Sequence, residues 1–111
     1  MAQWIDVGAF DDIPRQGART VQTSLGDVAV FRTLDDEVFA LVDRCPHRGG
    51  PLSQGIVHGR KVACPLHNWN IDLTSGEATG ADEGCTPAIP VQLDEGRVRL
   101  YLDAEATGTH G

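Results

Sequence analysis

Cys45-Pro46-His47-Arg48-Gly49-Gly50-Pro51 and Cys64-Pro65-Leu66-His67 are the two stretches on which the reading of this 111-residue chain turns. Together they spell C-x-H-x16-C-x2-H. Thiolate and imidazole are the side chains that hold soft and borderline metals. Here they come as two matched Cys–His pairs, each beside residues that set unusual backbone angles. Structural zinc also accepts two Cys and two His, but zinc fingers put both Cys on one turn and both His on another. Each turn here mixes the types. A [2Fe–2S] cluster in which two His replace two Cys on one iron is the second reading, and unligated core Cys with surface His is the third.

Outward from the boxes the chain reads as β throughout. Thr20–Ser24 and Val28–Leu34 have strand composition around Leu25-Gly26-Asp27, which reads as a turn, and Asp35-Asp36 reads as another. Glu37–Asp43 alternates Val38, Ala40 and Val42 against Phe39, Leu41 and Asp43, then runs into the first box. Lys61–Ala63 feeds the second box and Trp69–Leu73 leaves it. Ile89–Asp94 and Arg97–Leu102 flank Glu95-Gly96, a hairpin signal, and the glycine-punctuated Leu52–Arg60 is compatible with a small hairpin of its own. Only Val7–Pro14 hints at a short helical or turn segment. Short strands at regular spacing predict a sandwich or barrel.

Length predicts one domain with enough residues to bury a core without disulfides. Three Cys is an odd number, and with two of them in the boxes Cys85 has no evident partner. The net charge of −7 argues against nucleic acid, whose phosphates would repel the chain, and suits docking to a basic partner surface. Met1-Ala2-Gln3-Trp4-Ile5-Asp6 has neither a basic n-region nor an apolar h-region, and no stretch is apolar enough to cross a bilayer. The expectation is a soluble cytoplasmic protein with no membrane contact. Neither a phosphate-binding G-x-x-x-x-G-K-[ST] loop nor a G-x-G-x-x-G fingerprint occurs. Asp11-Asp12, Asp35-Asp36-Glu37, Asp82-Glu83 and Asp94-Glu95 read as solvated turns, and His58 and His110 as surface residues. With no nucleophile–base pair, the chain reads as an electron relay that turns over no substrate alone.

The two boxes closely resemble the Rieske [2Fe–2S] family. The resemblance implies that Cys45 and Cys64 hold one iron and His47 and His67 the other. It also implies an all-β fold: an antiparallel β-sandwich with a small inserted cluster-binding subdomain. Residues 1–104 would form that single domain, the subdomain spanning about 44–72, with 105–111 a disordered polar tail. Membrane-bound respiratory members carry a disulfide between the boxes; Gly50 and Leu66 stand at those positions here, so a reducing compartment is expected. Those members also carry Ser and Tyr after the second box, where this chain has Trp69 and Ile71, so a potential low in the Rieske range is implied. A loop at Gly84–Pro87 is expected to pack over the cluster.

Asn68-Trp69 after the second box, and Gly84-Cys85-Thr86-Pro87-Ala88-Ile89-Pro90-Val91, are similar to the small subunit of assimilatory NAD(P)H-dependent nitrite reductase. That resemblance, from Trp4 to Leu102, implies a large partner subunit carrying FAD, a [4Fe–4S] cluster and sirohaem, which reduces nitrite to ammonium. A stand-alone Rieske ferredoxin serving a ring-hydroxylating oxygenase shares the boxes, size and acidity. A zinc-stabilised interaction module is the reading without redox chemistry.

Overall fold

The computed structural model describes residues 2–23, 26–43, 51–64, 70–78, 86 and 88–103. Among the described residues the strands are β1 (Ala2–Ala9), β2 (Gly17–Thr23), β3 (Gly26–Arg32), β4 (Val38–Val42), β5 (Ile56–His58), β6 (Lys61–Ala63), β7 (Asn70–Asp72), β8 (Ala88–Ile89), β9 (Val91–Asp94) and β10 (Arg97–Asp103). Two single 3-10 turns, Phe10–Asp12 and Leu52–Gln54, complete the list. The strands form three antiparallel sheets with orders β1-β10-β9, β2-β3-β4-β8 and β5-β6-β7. The all-β antiparallel expectation holds. No helix among the described residues is long and apolar enough to cross a membrane.

The four-stranded sheet lies between the other two, and Val28-Ala29-Val30-Phe31 in β3 explains why. All four residues are buried. Successive side chains of a strand point to opposite faces, so an unbroken apolar run marks a sheet covered on both sides. Val28 and Val30 join Ala40, Ile89, Val98, Leu100 and Leu102 in a core against the β1-β10-β9 sheet. Ala29 and Phe31 join Leu41, Leu52, Val57, Val62, Cys64, Ile71 and Leu73 in a second core against the small β5-β6-β7 sheet. In β4 the alternation read from sequence holds: Val38, Ala40 and Val42 face the first core, Phe39 and Leu41 the second.

Several boundaries differ from expectation, each for a local reason. Ala2–Ala9 is a full strand paired along β10, although Gln3 and Asp6 interrupt its apolar pattern and a register shift between Asp6 and Gly8 breaks its period. The helical or turn segment sought over Val7–Pro14 reduces to the 3-10 turn Phe10–Asp12. Strand β2 begins at Gly17 rather than Thr20, and Gly26 and Asp27 are ladder residues rather than turn residues, paired with Thr23 and Gln22. Leu52–Gln54 is a 3-10 turn, so the hairpin placed in Leu52–Arg60 is instead β5–β6, turning at Gly59-Arg60. The strand predicted over Ile89–Asp94 breaks at Pro90, which has no N–H to donate. Ahead of it β8 pairs with β4; beyond it β9 pairs with β10, so this proline marks the crossing between two sheets. The tail 105–111 lies outside the described residues.

Candidate metal centre

Of the four proposed ligands, Cys64 is within the described residues; Cys45, His47 and His67 lie outside them, as do Cys85 and His110. Cys64 immediately follows β6 and has no exposed surface, packed in the core of Leu52, Val57, Val62 and Ile71. A thiolate ligand at that position is shielded from water on its protein side by branched aliphatic side chains.

The described flanks of the boxes are bound tightly to one another. Gly55 follows the first box, and a Cβ at that position would sit 2.2 Å from the carbonyl oxygen of Ala63, immediately before Cys64. The chain leaving box one is therefore pressed onto the strand entering box two, closer than any side chain permits. On the entry side, the Asp43 N–H donates to the Asp27 carbonyl at 2.8 Å. The Asp43 carboxylate accepts both the N–H and the hydroxyl of Ser53, each at 2.7 Å. Thr86, buried, donates its hydroxyl to the Val42 carbonyl at 3.1 Å and its N–H to the Gly76 carbonyl at 2.8 Å. One threonine thus ties the end of β4, which leads into box one, to the turn following β7, which leads out of box two. Of the loop expected to pack over the cluster, Thr86 is the described member.

The turn after β7 is held by Asp72, which accepts the N–H and hydroxyl of Thr74. The Thr74 hydroxyl in particular holds the Asp72 carboxyl below its ordinary range. At the far end of the small sheet, Arg60 makes a two-point contact with Glu37, at 2.9 and 2.8 Å, clipping the β5–β6 turn to the β3–β4 connection. His58, read as a surface residue, is exposed, with Nε2 2.8 Å from the Asn70 Oδ1. Of the acidic clusters, Asp36 meets Arg15 and Arg32, Glu37 meets Arg60 and Asp94 meets Arg99. Asp82-Glu83 lies outside the described residues. The hydrogen bonds of Asp43, Ser53 and Thr86 are not legible in sequence because each polar partner lies at least ten positions away. The one available signal was that Asp43 and Ser53 bracket the first box.

Among the described residues no group of three His, Cys, Asp or Glu side chains is placed to hold a metal ion, so the boxes remain the candidate centre. The donor chemistry fits a cluster with mixed ligation: Cys64 offers a sulfur donor in a dry core, and in sequence an imidazole follows each box cysteine within three positions.

The described residues form small antiparallel β-sheets in which Asp43, Ser53 and Thr86 tie together the chain segments that flank the two Cys–His boxes. The profile of the Rieske [2Fe-2S] domain matches residues 3–95, and the chain belongs to that family. Family membership decides between the metals left open by the donor set: the cofactor is a Rieske-type [2Fe–2S] cluster. The ferredoxin subunit of anthranilate 1,2-dioxygenase from Burkholderia cepacia is 33% identical over 108 residues, covering 92% of this chain and 94% of that protein. A structure assigned as a nitrite reductase NADPH small subunit is 29% identical with a TM-score of 0.80, covering 91% of this chain and 99% of that one. Another, assigned as the NADH-dependent nitrite reductase small subunit from Mycobacterium tuberculosis, is 26% identical with a TM-score of 0.82, covering 93% and 97%.

Proposed function

We propose that this chain is the electron-transfer small subunit of an NAD(P)H-dependent nitrite reductase. In it Cys45 and Cys64 bind one iron, and His47 and His67 the other. The observation that carries the reading is the second box. Cys64, fully buried, opens it directly after β6, and Asn68-Trp69, the pair that resembles nitrite reductase small subunits, immediately precedes β7. The likeness to two such structures over nearly their whole length supports it. Residues 1–104 would form one Rieske domain whose cluster-binding part spans about 44–72, a proposal supported by β5, β6 and β7 having a sheet to themselves.

When bound, a Rieske cluster supplies reversible one-electron transfer, at a higher potential than an all-Cys plant-type cluster. The chain's own residues hold and shield it. Leu52, Val62 and Ile71 exclude water around Cys64, while the hydrogen bonds of Asp43, Ser53 and Thr86 fix the flanks of the ligand loops. This chain would contribute no turnover alone. Its partner would be a large subunit carrying sirohaem, FAD and a [4Fe–4S] cluster, working in nitrate assimilation. The complex would be cytoplasmic, in keeping with Gly50 and Leu66 where disulfide-bearing relatives have Cys.

A second reading, a ferredoxin of a ring-hydroxylating oxygenase, is favoured by the 33% identity to the anthranilate dioxygenase ferredoxin subunit. Affinity purification of the full chain from its own host grown on nitrate separates the two. Recovery of a large flavin- and sirohaem-containing partner with nitrite-reducing activity is expected. Recovery of the chain alone, brown and able to restore aromatic hydroxylation to an oxygenase, would establish the second reading instead.

A further inference from the structure

We propose that Asp43 and Ser53 are positioning residues, a latch that holds the loop bearing Cys45 and His47 in the geometry the cluster requires. The proposal rests on the ligand assignment above. The two residues stand ten positions apart, and the first ligand lies two residues beyond Asp43. One carboxylate takes both hydrogens that Ser53 can offer: Oδ1 accepts the backbone N–H and Oδ2 the side-chain hydroxyl, each at 2.7 Å and part-buried. Hydrogen bonds to an ionised acceptor are short and about twice as strong as neutral ones, and two of them between one pair of residues also fix orientation.

Both ends of the latch are anchored independently. Asp43 is held by the Asp27 carbonyl on β3, and Val42 beside it by the Thr86 hydroxyl. Ser53 sits in the middle of a 3-10 turn closed by Gln54 N–H to the Pro51 carbonyl and Gly55 N–H to the Leu52 carbonyl, with Leu52 fully buried. Fixing the two ends of a loop supplies its closure entropy in advance, so less is lost on ligation. Partners outside the ligand set that orient ligands commonly govern metal affinity by about ten- to a hundredfold when removed.

The experiment uses full-length holoprotein and compares wild type with Asp43→Ala, Asp43→Asn and Ser53→Ala. It reads the electron paramagnetic resonance spectrum of the reduced protein, the rate of cluster loss to excess EDTA, and Tm. Asn and Ala both remove the charge, but Asn keeps the latch: its carbonyl accepts the Ser53 N–H and its amide donates to the Ser53 hydroxyl oxygen. A difference between the two variants therefore reports hydrogen bonding and not charge. Asp43→Ala is expected to lose its cluster about tenfold faster, with a shifted spectrum, and Asp43→Asn, whose two bonds to Ser53 are neutral, to restore both in large part. Ser53→Ala keeps the backbone bond, so a smaller change in the same direction is expected; this milder variant decides the matter if Asp43→Ala does not fold. Wild-type spectra and cluster lifetimes in Asp43→Ala and Ser53→Ala, even with a lowered Tm, would overturn the latch. Wild-type protein without a Rieske-type signal would overturn the ligand assignment, and the latch with it.

Discussion

Gly76 has a backbone φ of +79°, and a Cβ there would stand 2.0 Å from the Thr86 carbonyl oxygen. Both facts forbid a side chain: the left-handed region penalises one, and the carbonyl is backbone that cannot swing aside. Gly76→Ala is expected to cost about 2–5 kcal/mol of stability, measured by denaturant unfolding, and to loosen the Thr86 bridge. Cys64 is the second residue on which the site depends. Cys64→Ser should abolish the Rieske visible and paramagnetic signals and destabilise the small sheet, because ligation and local folding are coupled; a native cluster spectrum in that variant would dismiss Cys64 as a ligand. The boxes were plain in the sequence because ligand chemistry restricts residue type and spacing together. Asp43, Ser53 and Thr86 were not, because a hydrogen bond across a fold leaves no spacing to read.

Strands whose hydrophobic pattern matches their surroundings were legible; those with a task at each end were not. Lys61–Ala63 was read with the bounds it has, and Glu37–Asp43 contains β4 with its two-sided alternation intact. The Glu95-Gly96 turn has φ of 50° and 78°, as a tight two-residue hairpin demands. By contrast β1 turns Asp6 outward to pair with Arg97 across the sheet, and that polarity masked the strand. The β8–β9 break is a single proline whose effect depends on two sheets that local sequence does not reveal. The hairpin offers a measurement at this scale. Gly96 has a φ close to that of Gly76 but open space around its absent Cβ. Gly96→Ala should therefore cost only about 1–2 kcal/mol, less than Gly76→Ala, with the β9–β10 register preserved by amide chemical shifts.

Across the whole molecule, acid stability follows from carboxylates with partners. Hydrogen bonds from Arg97 to Asp6, from Arg32 to Asp36 and from Thr74 to Asp72 hold all three below their ordinary values. A carboxyl with a depressed folded-state pKa adds stability that is complete above its unfolded value and disappears as pH falls through the folded one. Tm should be insensitive to these groups above about pH 5 and fall progressively below about pH 4; a Tm unchanged down to about pH 2 would contradict it. The potential is likewise set by what surrounds the centre. Ile71 is fully buried and has no hydroxyl to offer the cluster sulfurs, so voltammetry should find a midpoint toward the lower end of the Rieske range, about −150 mV, rather than a high positive value. Strand β3 has a wider consequence. Because Val28 and Val30 serve one core while Ala29 and Phe31 serve the other, it works as a party wall: neither side can be rebuilt without moving a surface that the other leans on. Repacking at Val30, on the side away from Cys64, is therefore expected to shift Ala29 and Phe31, its strand neighbours in the core that holds Cys64.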